Sequence, residues 1–564
     1  MAFQISPGVN TSEIDLTTVV PGVSSIDAGF AGAFRWGPIN DVTLIDSEDL
    51  LVQTFQKPDA NTFASFFTAA NILNYTSSLH VVRAANTSGA KNSYSTSGTA
   101  AVLIANSSVY YNTYDEGQAG VITSAGPFAA KFAGALGNSL RVSLCGPTRA
   151  NLASGNTVVA SNSDVALTGT MAIHATTGAV TGTNTLFGTE LRVGDVIQTN
   201  NGNTFVISAI TSNTAMTVNR DPVTGEISAG ATAVRFKRSA FEEPSKNMIG
   251  TVAVTANSTT VSATTATARD AATTAFNLQY KVGDIIKING EERKVVTVTN
   301  SSSMVVNTGF TNTATAQTHS RTWEYAGLFD KEPVTTEYSA GRGARFDEVH
   351  VVVVDEDGEW TGTQNEGLEI FPGLSVAKGA RNEDGSKAYY VDALNRRSKY
   401  IYWMDHDSTG DAYTTGGAAV SAWGTVPTSG IEYQANGTIV SESLIGGVDG
   451  TDVSDGDKIT GFNKFLNTEE IDIGLLAAGE ASATVALQLI SIAAQRKDCV
   501  AFISPEQADV VNNEGSEVDA IVDFRNTLGT SSYAFLDSGY KYQYDRYNDV
   551  FRYVPLNGDM VGLC

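Results

Sequence analysis

The sequence contains few of the residues on which disulfide frameworks, metal sites and most catalytic centres depend. It has three cysteines, Cys145, Cys499 and Cys564, without C-x-x-C spacing, which is typical of a protein folded in a reducing cytoplasm. Its five histidines form no recognisable catalytic motif. Neither G-x-x-x-x-G-K-[ST] nor G-x-S-x-G occurs, so no phosphate loop and no nucleophile elbow is predicted. We therefore expect no catalytic residues, no enzyme activity and no cofactor.

Metal-site candidates are weak. Asp-His-Asp at 405–407 offers carboxylate and imidazole ligands, but adjacent residues of a strand or turn point apart. Several aspartates recur between Asp449 and Asp457, yet the alternation and the final glutamate of an EF-hand are missing. We predict no metal, with calcium near 449–457 as a weak alternative to a capped helix start. His319 lies in a Thr- and Ala-rich stretch and is predicted to be on the surface.

The chain is strongly acidic, with 36 basic and 60 acidic residues and a net charge of −24. This disfavours nucleic acid as a partner, because binding requires clustered Lys and Arg. Apolar runs such as 349–354 are far shorter than the roughly 20 residues that span a bilayer. The opening MAFQISPGV lacks the basic and apolar regions of a secretory signal. We expect no membrane insertion.

Hydrophobic periodicity predicts a mixed α/β, multidomain fold. Residues 1–20 are predicted to be an extended arm, because prolines bound them and they show no helical period. Segments 21–90 and 441–564 alternate buried-strand and helical patterns and are predicted to form one split α/β core domain. Segments 91–150 and 323–440 are predicted to form a β-rich middle domain.

Residues 151–322 are rich in Thr, Ser, Asn, Ala and Gly and contain an internal repeat. V-G-D-x-I begins at Val193 and again at Val282, followed each time by Asn-Gly and alternating apolar residues, which predicts hairpins. Met216 and Met304 occupy matching places. We predict an inserted pair of small all-β modules, barrel-like or sandwich-like, on the outer surface.

The final block, 533–564, interleaves aromatic and charged residues. Tyr540, Tyr542 and Tyr544 alternate, so one face of a strand is predicted to be aromatic and the other polar. Such a strand packs inside one domain or, since Tyr and Arg are enriched at interfaces, forms a subunit contact. The candidate residues for inter-subunit or core-domain contacts are Lys541, Tyr544, Asp545, Arg546, Asp549 and Arg552.

Four blocks occur in a fixed order along the chain. They are SPGV with Glu13 at 6–14, FRWGP at 34–38 with LHVVRA at 79–84, L-x-GG-x-DG at 444–450, and the tyrosine-rich block at 533–564. Together they are similar to the blocks of contractile-tail sheath proteins of T4-like bacteriophages, the myovirus tail sheath family. The resemblance extends over the whole chain.

The resemblance implies a structural virion protein. Sheath subunits form stacked hexameric discs around a tail tube and contract to drive the tube through the host cell envelope. The implied partners are further copies of the chain, the tail tube protein, and baseplate and tail terminator proteins, with assembly in the host cytoplasm. The implied assembly residues of the arm are Pro7, Gly8, Val9, Thr11, Glu13 and Ile14.

Sheath chains continue after the tyrosine-rich block into an inner domain and a C-terminal arm. The sequence ends at Cys564, and we expect that this part of the family is lacking. One alternative is the sheath of a phage-derived tailocin or injection device. Another is a β-rich adhesin or glycan-binding protein, which would account for the modules at 151–322 but not for the α/β segments.

The arm yields the first prediction. Residues 1–20 have no core-forming pattern, so limited proteolysis is expected to remove them before any other segment. Mass spectrometry of the early fragments measures this. An arm as resistant as the helical segment 482–496 would contradict the prediction.

Overall fold

A computed structural model describes most of the chain. The described residues are 27–118, 123–147, 152–153, 157–158, 165–191, 195–219, 227–235, 239–245, 248, 250–264, 276–300, 302–406, 413–415, 418–420, 423–431, 433, 439–450 and 452–564. They divide into two compact units. The α/β unit contains the described residues up to Ala90, with Ala105–Ser107 and Asp449–Cys564. The β-rich unit contains Lys91–Ile104 and the described part of Ser108–Val448.

The strands are numbered in chain order over the described residues. They are β1 (Ala28–Ala33), β2 (Val42–Ile45), β3 (Leu79–Ala84), β4 (Tyr94–Ser95), β5 (Phe128–Ala130), β6 (Leu140–Cys145), β7 (Leu152–Ala153), β8 (Thr157–Val158), β9 (Val165–Ala166), β10 (Thr170–Ile173), β11 (Ala179–Thr183), β12 (Val196–Thr199), β13 (Thr204–Ser212), β14 (Ala215–Asn219), β15 (Ile227–Ala231), β16 (Ala233–Arg235), β17 (Glu242–Glu243), β18 (Thr251–Val254), β19 (Thr260–Thr264), β20 (Ile285–Ile288), β21 (Glu291–Asn300), β22 (Ser303–Val306), β23 (Ala314–Gln317), β24 (His319–Thr322), β25 (Glu348–Asp355), β26 (Glu366–Ser375), β27 (Ile401–Trp403), β28 (Tyr413–Thr415), β29 (Ala418–Val420), β30 (Ile439–Ile445), β31 (Leu475–Ala477), β32 (Val500–Ile503), β33 (Ala534–Leu536), β34 (Tyr540–Asp545) and β35 (Val550–Pro555).

The helices are numbered in the same way. They are α1 (Glu48–Phe55), α2 (Phe63–Leu73), α3 (Ser107–Thr113), α4 (Phe187–Glu190), α5 (Phe276–Gln279), α6 (Glu337–Ala340), α7 (Tyr390–Arg397), α8 (Asp455–Phe462), α9 (Ala483–Arg496), α10 (Gln507–Val510), α11 (Glu517–Leu528) and α12 (Asn557–Leu563). Among the helices that the structure describes, none has the length and apolar character needed to cross a bilayer.

The α/β unit is built on a six-stranded sheet of described strands in the order β2-β3-β1-β31-β32-β33. All neighbours are parallel except β2, which runs antiparallel to β3 on the edge. Strand β1 is buried along its whole length and lies between β3 and β31. Its Gly32 leaves room for α2, where Ser65 Oγ accepts a hydrogen bond from the backbone of Ala33 at 3.0 Å.

The helices of this unit cover both faces of the sheet, so the core consists of two apolar clusters. Helix α9 shows why the sequence folds this way locally. Ser482 caps its first turn by accepting a hydrogen bond from Val485 N. Its buried stripe of Val485, Leu489 and Ile492 has helical spacing. The helix ends at Lys497 in the left-handed conformation.

The β-rich unit contains a seven-stranded sheet of described strands in the order β26-β25-β6-β30-β4-β5-β27. The central strands β25 and β6 are buried at every position. Strand β30 pairs antiparallel with β6, from Ile439 opposite Cys145 to Ser443 opposite Arg141. Residues 441–448 therefore lie in this unit, whereas the sequence pattern placed the boundary of the α/β segment at 441.

Two further sheets, each of eight described strands, account for the repeat in the sequence. Their orders are β9-β16-β12-β13-β14-β11-β10-β15 and β17-β24-β20-β21-β22-β19-β18-β23, so each strand is matched by the strand eight labels later. Helices α4 and α5 begin at the equivalent, fully buried Phe187 and Phe276. Met216 and Met304 lie in the two separate cores. Whether these sheets close as barrels or sandwiches stays a prediction.

The second module shares core packing with the seven-stranded sheet. Trp323 follows β24, packs with Phe241 and Val352, and donates from Nε1 to Ser143 Oγ at 2.9 Å. Arg141 of β6 is paired with Glu324, which is also paired with Lys294 of β21. The first module has its own cluster, from Leu167 to Ala233, and its first and last strands are neighbours, with Val165 opposite Arg235.

The second module shares a core with the seven-stranded sheet and the first module has its own, and this difference yields a prediction for deletions. Replacing 165–235 with a short Gly/Ser linker is expected to leave the rest of the β-rich unit folded, because the two ends are adjacent. Replacing 151–322 also removes Ala240 and Phe241 from the cluster around Trp323, which is expected to destabilise the remainder by about 2–5 kcal/mol. Urea denaturation of both variants and the parent measures this. Equal stability of the two variants would contradict the shared core.

Candidate functional site

The tyrosine-rich block folds as a hairpin followed by a helix. Strands β34 and β35 pair antiparallel from Tyr540 opposite Pro555 to Asp545 opposite Val550. The turn between them is possible because Asp549 adopts a positive φ of 53°, a conformation that aspartate tolerates better than most residues. Because side chains alternate along a strand, the hairpin has two chemically different faces.

The inward face of the hairpin carries buried polar groups beside the apolar Val554, which belongs to the core of the unit. Asp545 is completely buried and accepts hydrogen bonds from Arg552 Nε at 3.0 Å and Asn548 Nδ2 at 2.8 Å. Gln543 Oε1 accepts from Asn71 Nδ2 of α2 at 3.1 Å. Buried polar groups with such partners fix orientation, since any other placement would leave them without hydrogen bonds.

The six candidate contact residues are brought together here, and each has a partner within the α/β unit. Lys541 Nζ pairs with Asp559 at 2.7 Å, and Arg546 pairs with Glu48 of α1. Tyr544 Oη donates to Asp549 at 2.7 Å, and Arg552 pairs with Asp545. Contacts of these residues with another subunit stay a prediction.

The outward face of the hairpin is aromatic. Tyr542 is 61% exposed, Phe551 58%, Tyr544 47% and Tyr553 38%. Tyr542 stacks on Phe551 with a centroid distance of 5.1 Å and lies 4.8 Å from Tyr553. The alternation of Tyr540, Tyr542 and Tyr544 in the sequence indicated an aromatic face. It did not indicate that this face points to solvent.

A second cluster joins the early blocks to the L-x-GG-x-DG block. Arg83 at the end of β3 is completely buried, with NH1 donating to Gly37 O at 2.9 Å and NH2 to Asp449 O at 3.4 Å. Burial lowers the pKa of Arg83 to about 10, while the negative charge of Asp449 acts in the opposite direction and raises it. The guanidinium is therefore charged at neutral pH. Gly450 lies beside this cluster, and its carbonyl oxygen accepts a hydrogen bond from Asn86 N at 3.1 Å.

The glycines of that block lie where side chains would collide. A Cβ on Gly447 would lie 2.1 Å from Ser93 Oγ, and one on Gly450 would lie 2.8 Å from Ala90 Cβ. Gly450 also has a positive φ of 63°, which favours glycine. Glycine is therefore required at these two positions, because the backbone of the block passes close to neighbouring segments.

The arm residues Pro7, Gly8, Val9, Thr11, Glu13 and Ile14 lie outside the described residues. Their assembly role stays a prediction.

The acids near 449–457 serve to begin a helix. Ser454 caps α8, with Asp457 completing a capping box, and Asp455 accepts from Ser482 Oγ at 2.6 Å. Ser454 is thus the capping residue of this helix start. Among the described residues, no group of three or more His, Cys, Asp or Glu side chains is arranged to hold a metal ion.

The position of one histidine, His319, differs from the sequence prediction. His319 was predicted to be on the surface, and this is wrong: it lies in β24, is 1% exposed, and contacts Tyr280 Oη through Nδ1 at 2.6 Å. Alternation within β24 buries it. His406 contacts Tyr390 Oη at 2.6 Å, whereas Asp407, its neighbour in the metal candidate, is outside the described residues.

The carboxyl edge of the parallel sheet is the place where doubly wound folds bind ligands, beside the point at which strand order reverses. Here that point lies between β1 and β31. Asn557, the first residue of α12, is completely buried, donates to Gly479 O at 2.8 Å and accepts from Gly479 N at 3.0 Å. It also donates to Ser504 Oγ at 2.9 Å. Helix α12 thus packs on the ends of β31 and β32.

Asp537 lies at the same edge, after β33. Burial raises its pKa to about 6, partly offset by hydrogen bonds from Gly539 N and Ser504 Oγ. The edge is therefore organised by hydrogen bonds among Asn557, Ser504 and Asp537, which tie three strand ends together.

Comparison with known proteins gives a consistent result along the chain. The chain is 24% identical over 581 residues to the tail sheath protein of Enterobacteria phage T4, covering 99% of the chain and 72% of that protein. It is 26% identical over 592 residues to the tail sheath protein of Vibrio phage KVP40, covering 99% and 73%. The chain is similar to phage tail sheath proteins over nearly its whole length. The resemblance predicted from the four blocks is confirmed.

A third tail sheath protein, from Salmonella phage ViI, is 28% identical over 197 residues, which are 35% of the chain and 26% of that protein. No protein-family model matches the chain. Solved sheath tail proteins from Listeria innocua and Desulfitobacterium hafniense align over 95% and 98% of the chain and 55% and 60% of their own lengths, each at 8% identity and a TM-score of 0.32. The similarity to tail sheath proteins therefore rests on the sequence alignments with the phage proteins and not on the solved structures.

The hairpin yields a prediction. Asp545→Asn would leave the Arg552 guanidinium without its carboxylate partner in a buried site, so we expect a loss of about 2 kcal/mol in the free energy of unfolding. The matched variant Asp549→Asn changes an exposed carboxylate at the turn and is expected to cost less than about 0.5 kcal/mol. Chemical denaturation measures both. Similar losses for the two variants would contradict the structural role of Asp545.

Proposed function

We propose that the chain is the structural subunit of a contractile tail sheath. Its copies assemble as stacked hexameric discs around the tail tube, and contraction of this lattice drives the tube through the host cell envelope. The subunit belongs to the virion and is assembled in the host cytoplasm. Its partners are other copies of itself, the tail tube protein, and the baseplate and tail terminator proteins.

The observation that carries the proposal is the alignment with two tail sheath proteins over 99% of the chain. A domain shared by chance with an unrelated protein would align over one unit only. The alignment instead includes both the α/β segments and the inserted β-rich part. It extends through the four blocks on which the sequence interpretation depends.

The geometry supports a structural rather than a catalytic role. Helix α12 packs against the carboxyl edge of the parallel sheet, and its Asn557 uses its side chain to join Gly479 and Ser504. The charged residues of the tyrosine-rich block pair within the unit. These groups hold the fold together, and the energy for contraction is proposed to come from a metastable extended lattice rather than from a nucleotide.

The domain arrangement follows from the same proposal. Residues 1–20 act as an assembly arm that adds a strand to a neighbouring subunit. The split α/β domain forms the sheath core, and the modules within 151–322 lie on the outer surface of the sheath. Head-to-tail contacts between copies are heterologous, which is the kind of contact that generates helical assemblies.

The sheath of a tailocin or injection device would share this architecture, but the aligned relatives are phage proteins. An adhesin is not favoured, because it would leave the α/β segments unexplained.

Electron microscopy tests the proposal. The purified chain, alone and mixed with the tail tube protein of the same phage, is expected to form discs or tubes with a regular helical repeat when examined by negative staining. Mixing with a tube protein from an unrelated phage serves as the control. Monodisperse single particles under all conditions would contradict the proposed function.

A further inference from the structure

Strand β26 forms one edge of the seven-stranded sheet among the described strands, and its pairing with β25 is irregular. The register shifts between Val349 and Val351, where His350 lies opposite two residues of β26, Pro372 and Gly373. Two residues opposite one form a β-bulge, which interrupts the regular ladder of backbone hydrogen bonds. The attachment of β26 at this point therefore depends partly on side-chain contacts.

The imidazole of His350 supplies those contacts. The residue is 2% exposed, and its ring stacks on Phe329 at a centroid distance of 4.3 Å and meets Phe241 edge-to-face. Nδ1 accepts from Gly373 N at 3.0 Å, and Nε2 lies 2.8 Å from the carbonyl oxygen of Lys331. A backbone N–H only donates and a carbonyl only accepts, so the ring is neutral and carries its proton on Nε2.

Few charged groups act on this ring. The titratable groups within two residues of its contacts are Glu348 on β25, Cys145 on β6, Asp330, Lys331 and Glu332 in the segment 329–334, and Glu242 and Glu243 on β17. Burial lowers the pKa of His350, whereas the hydrogen bond to the Lys331 carbonyl and the charge of Glu348 raise it. Glu348 is itself paired with Lys331 Nζ at 3.2 Å. Burial raises the pKa of the Cys145 thiol, which is therefore neutral.

A second proton on the ring would disrupt this arrangement. It would bind at Nδ1 and point at the N–H of Gly373, so that a hydrogen bond would become a contact between two donors. It would also place a cation in a buried site against the Phe329 ring. The unfolded chain takes up this proton with an ordinary histidine pKa of about 6.5, which the folded chain resists. The stability that His350 contributes is therefore present above about pH 6.5 and is lost as the pH falls below that value.

We propose that His350 is a pH-sensitive switch that holds β26 and the segment 329–334 against β25. At neutral pH the ring joins the three segments through its two nitrogens. Under mildly acidic conditions the contact with Gly373 is lost, and this edge of the seven-stranded sheet opens locally. The switch lies within the β-rich unit and does not depend on the proposed function.

Hydrogen exchange of the full chain, followed by mass spectrometry at about pH 7.5 and about pH 5.5 and corrected for the intrinsic exchange rates, tests the proposal. In the parent, opening of 366–375 is expected to become several-fold more frequent at the lower pH, with an upper limit of about tenfold. His350→Gln can still accept and donate but does not titrate, so its 366–375 segment is expected to show no such change.

The matched control is His80→Gln. His80 lies on β3 of the α/β unit, and burial lowers its pKa as well, but it does not contact β26, so this variant is expected to respond like the parent. Asp284 and Asp537, whose pKa burial raises to about 6, also titrate in this range. They are present in all three proteins, so the comparison between the proteins removes their effect.

A second measurement does not require the His350→Gln variant to fold. Labelling of the histidine rings with ¹³C gives signals from only five residues, and the His350 signal is expected to titrate below pH 6.5 and to report a proton on Nε2 above it. Titration of His350 at or above pH 6.5 would overturn the proposal. So would an opening of 366–375 that does not change with pH in the parent, or that changes equally in the parent and in His350→Gln.

Discussion

The structure depends on the parallel pairing of β1 with β31. Ala28, Gly29 and Phe30 are registered with Leu475, Leu476 and Ala477, so residues from the two ends of the chain lie side by side in the middle of one sheet. Closing a loop of about 440 residues costs on the order of 5 kcal/mol in chain entropy. Burial of β1 along its whole length, with apolar clusters on both faces of the sheet, offsets this cost.

That pairing imposes a requirement on everything inserted between the two halves. Apart from Ala105–Ser107, the chain leaves the α/β unit after Ala90 and returns at Asp449. The segments around Ala90 and Asp449 are fixed by specific contacts. Within the α/β unit, Asn86 bonds to Gly450 and Arg83 to the carbonyl of Asp449. Within the β-rich unit, Lys91 and Val448 exchange backbone hydrogen bonds at 3.0 Å. The block L-x-GG-x-DG is a packing motif in which glycines permit these close passages, and no ligand is required to explain it.

Local patterns in the sequence were sufficient for the elements with strong periodicity. The helix carrying Val485, Leu489 and Ile492, the alternation of the tyrosines in β34 and the repeat at Val193 and Val282 follow from spacing alone. The direction in which the hairpin faces could not be obtained in this way, because it depends on Asn71, Glu48 and Asp559, which are distant in sequence or lie on other elements. The burial of His319 was missed for a similar reason, since its stretch looks like a loop until β24 pairs with β20.

The matching strand orders of the two modules have a consequence for how such a chain can change over generations. The second module repeats the first strand for strand. Each module also begins and ends in neighbouring strands, with Val165 opposite Arg235 in the first and Glu242 opposite Thr322 in the second. Recombination between the two repeats therefore removes or adds one whole module without altering strand pairing elsewhere. The size of the inserted region is thus a quantity that can vary in steps of one module, while the parallel sheet built from the two ends of the chain stays the same.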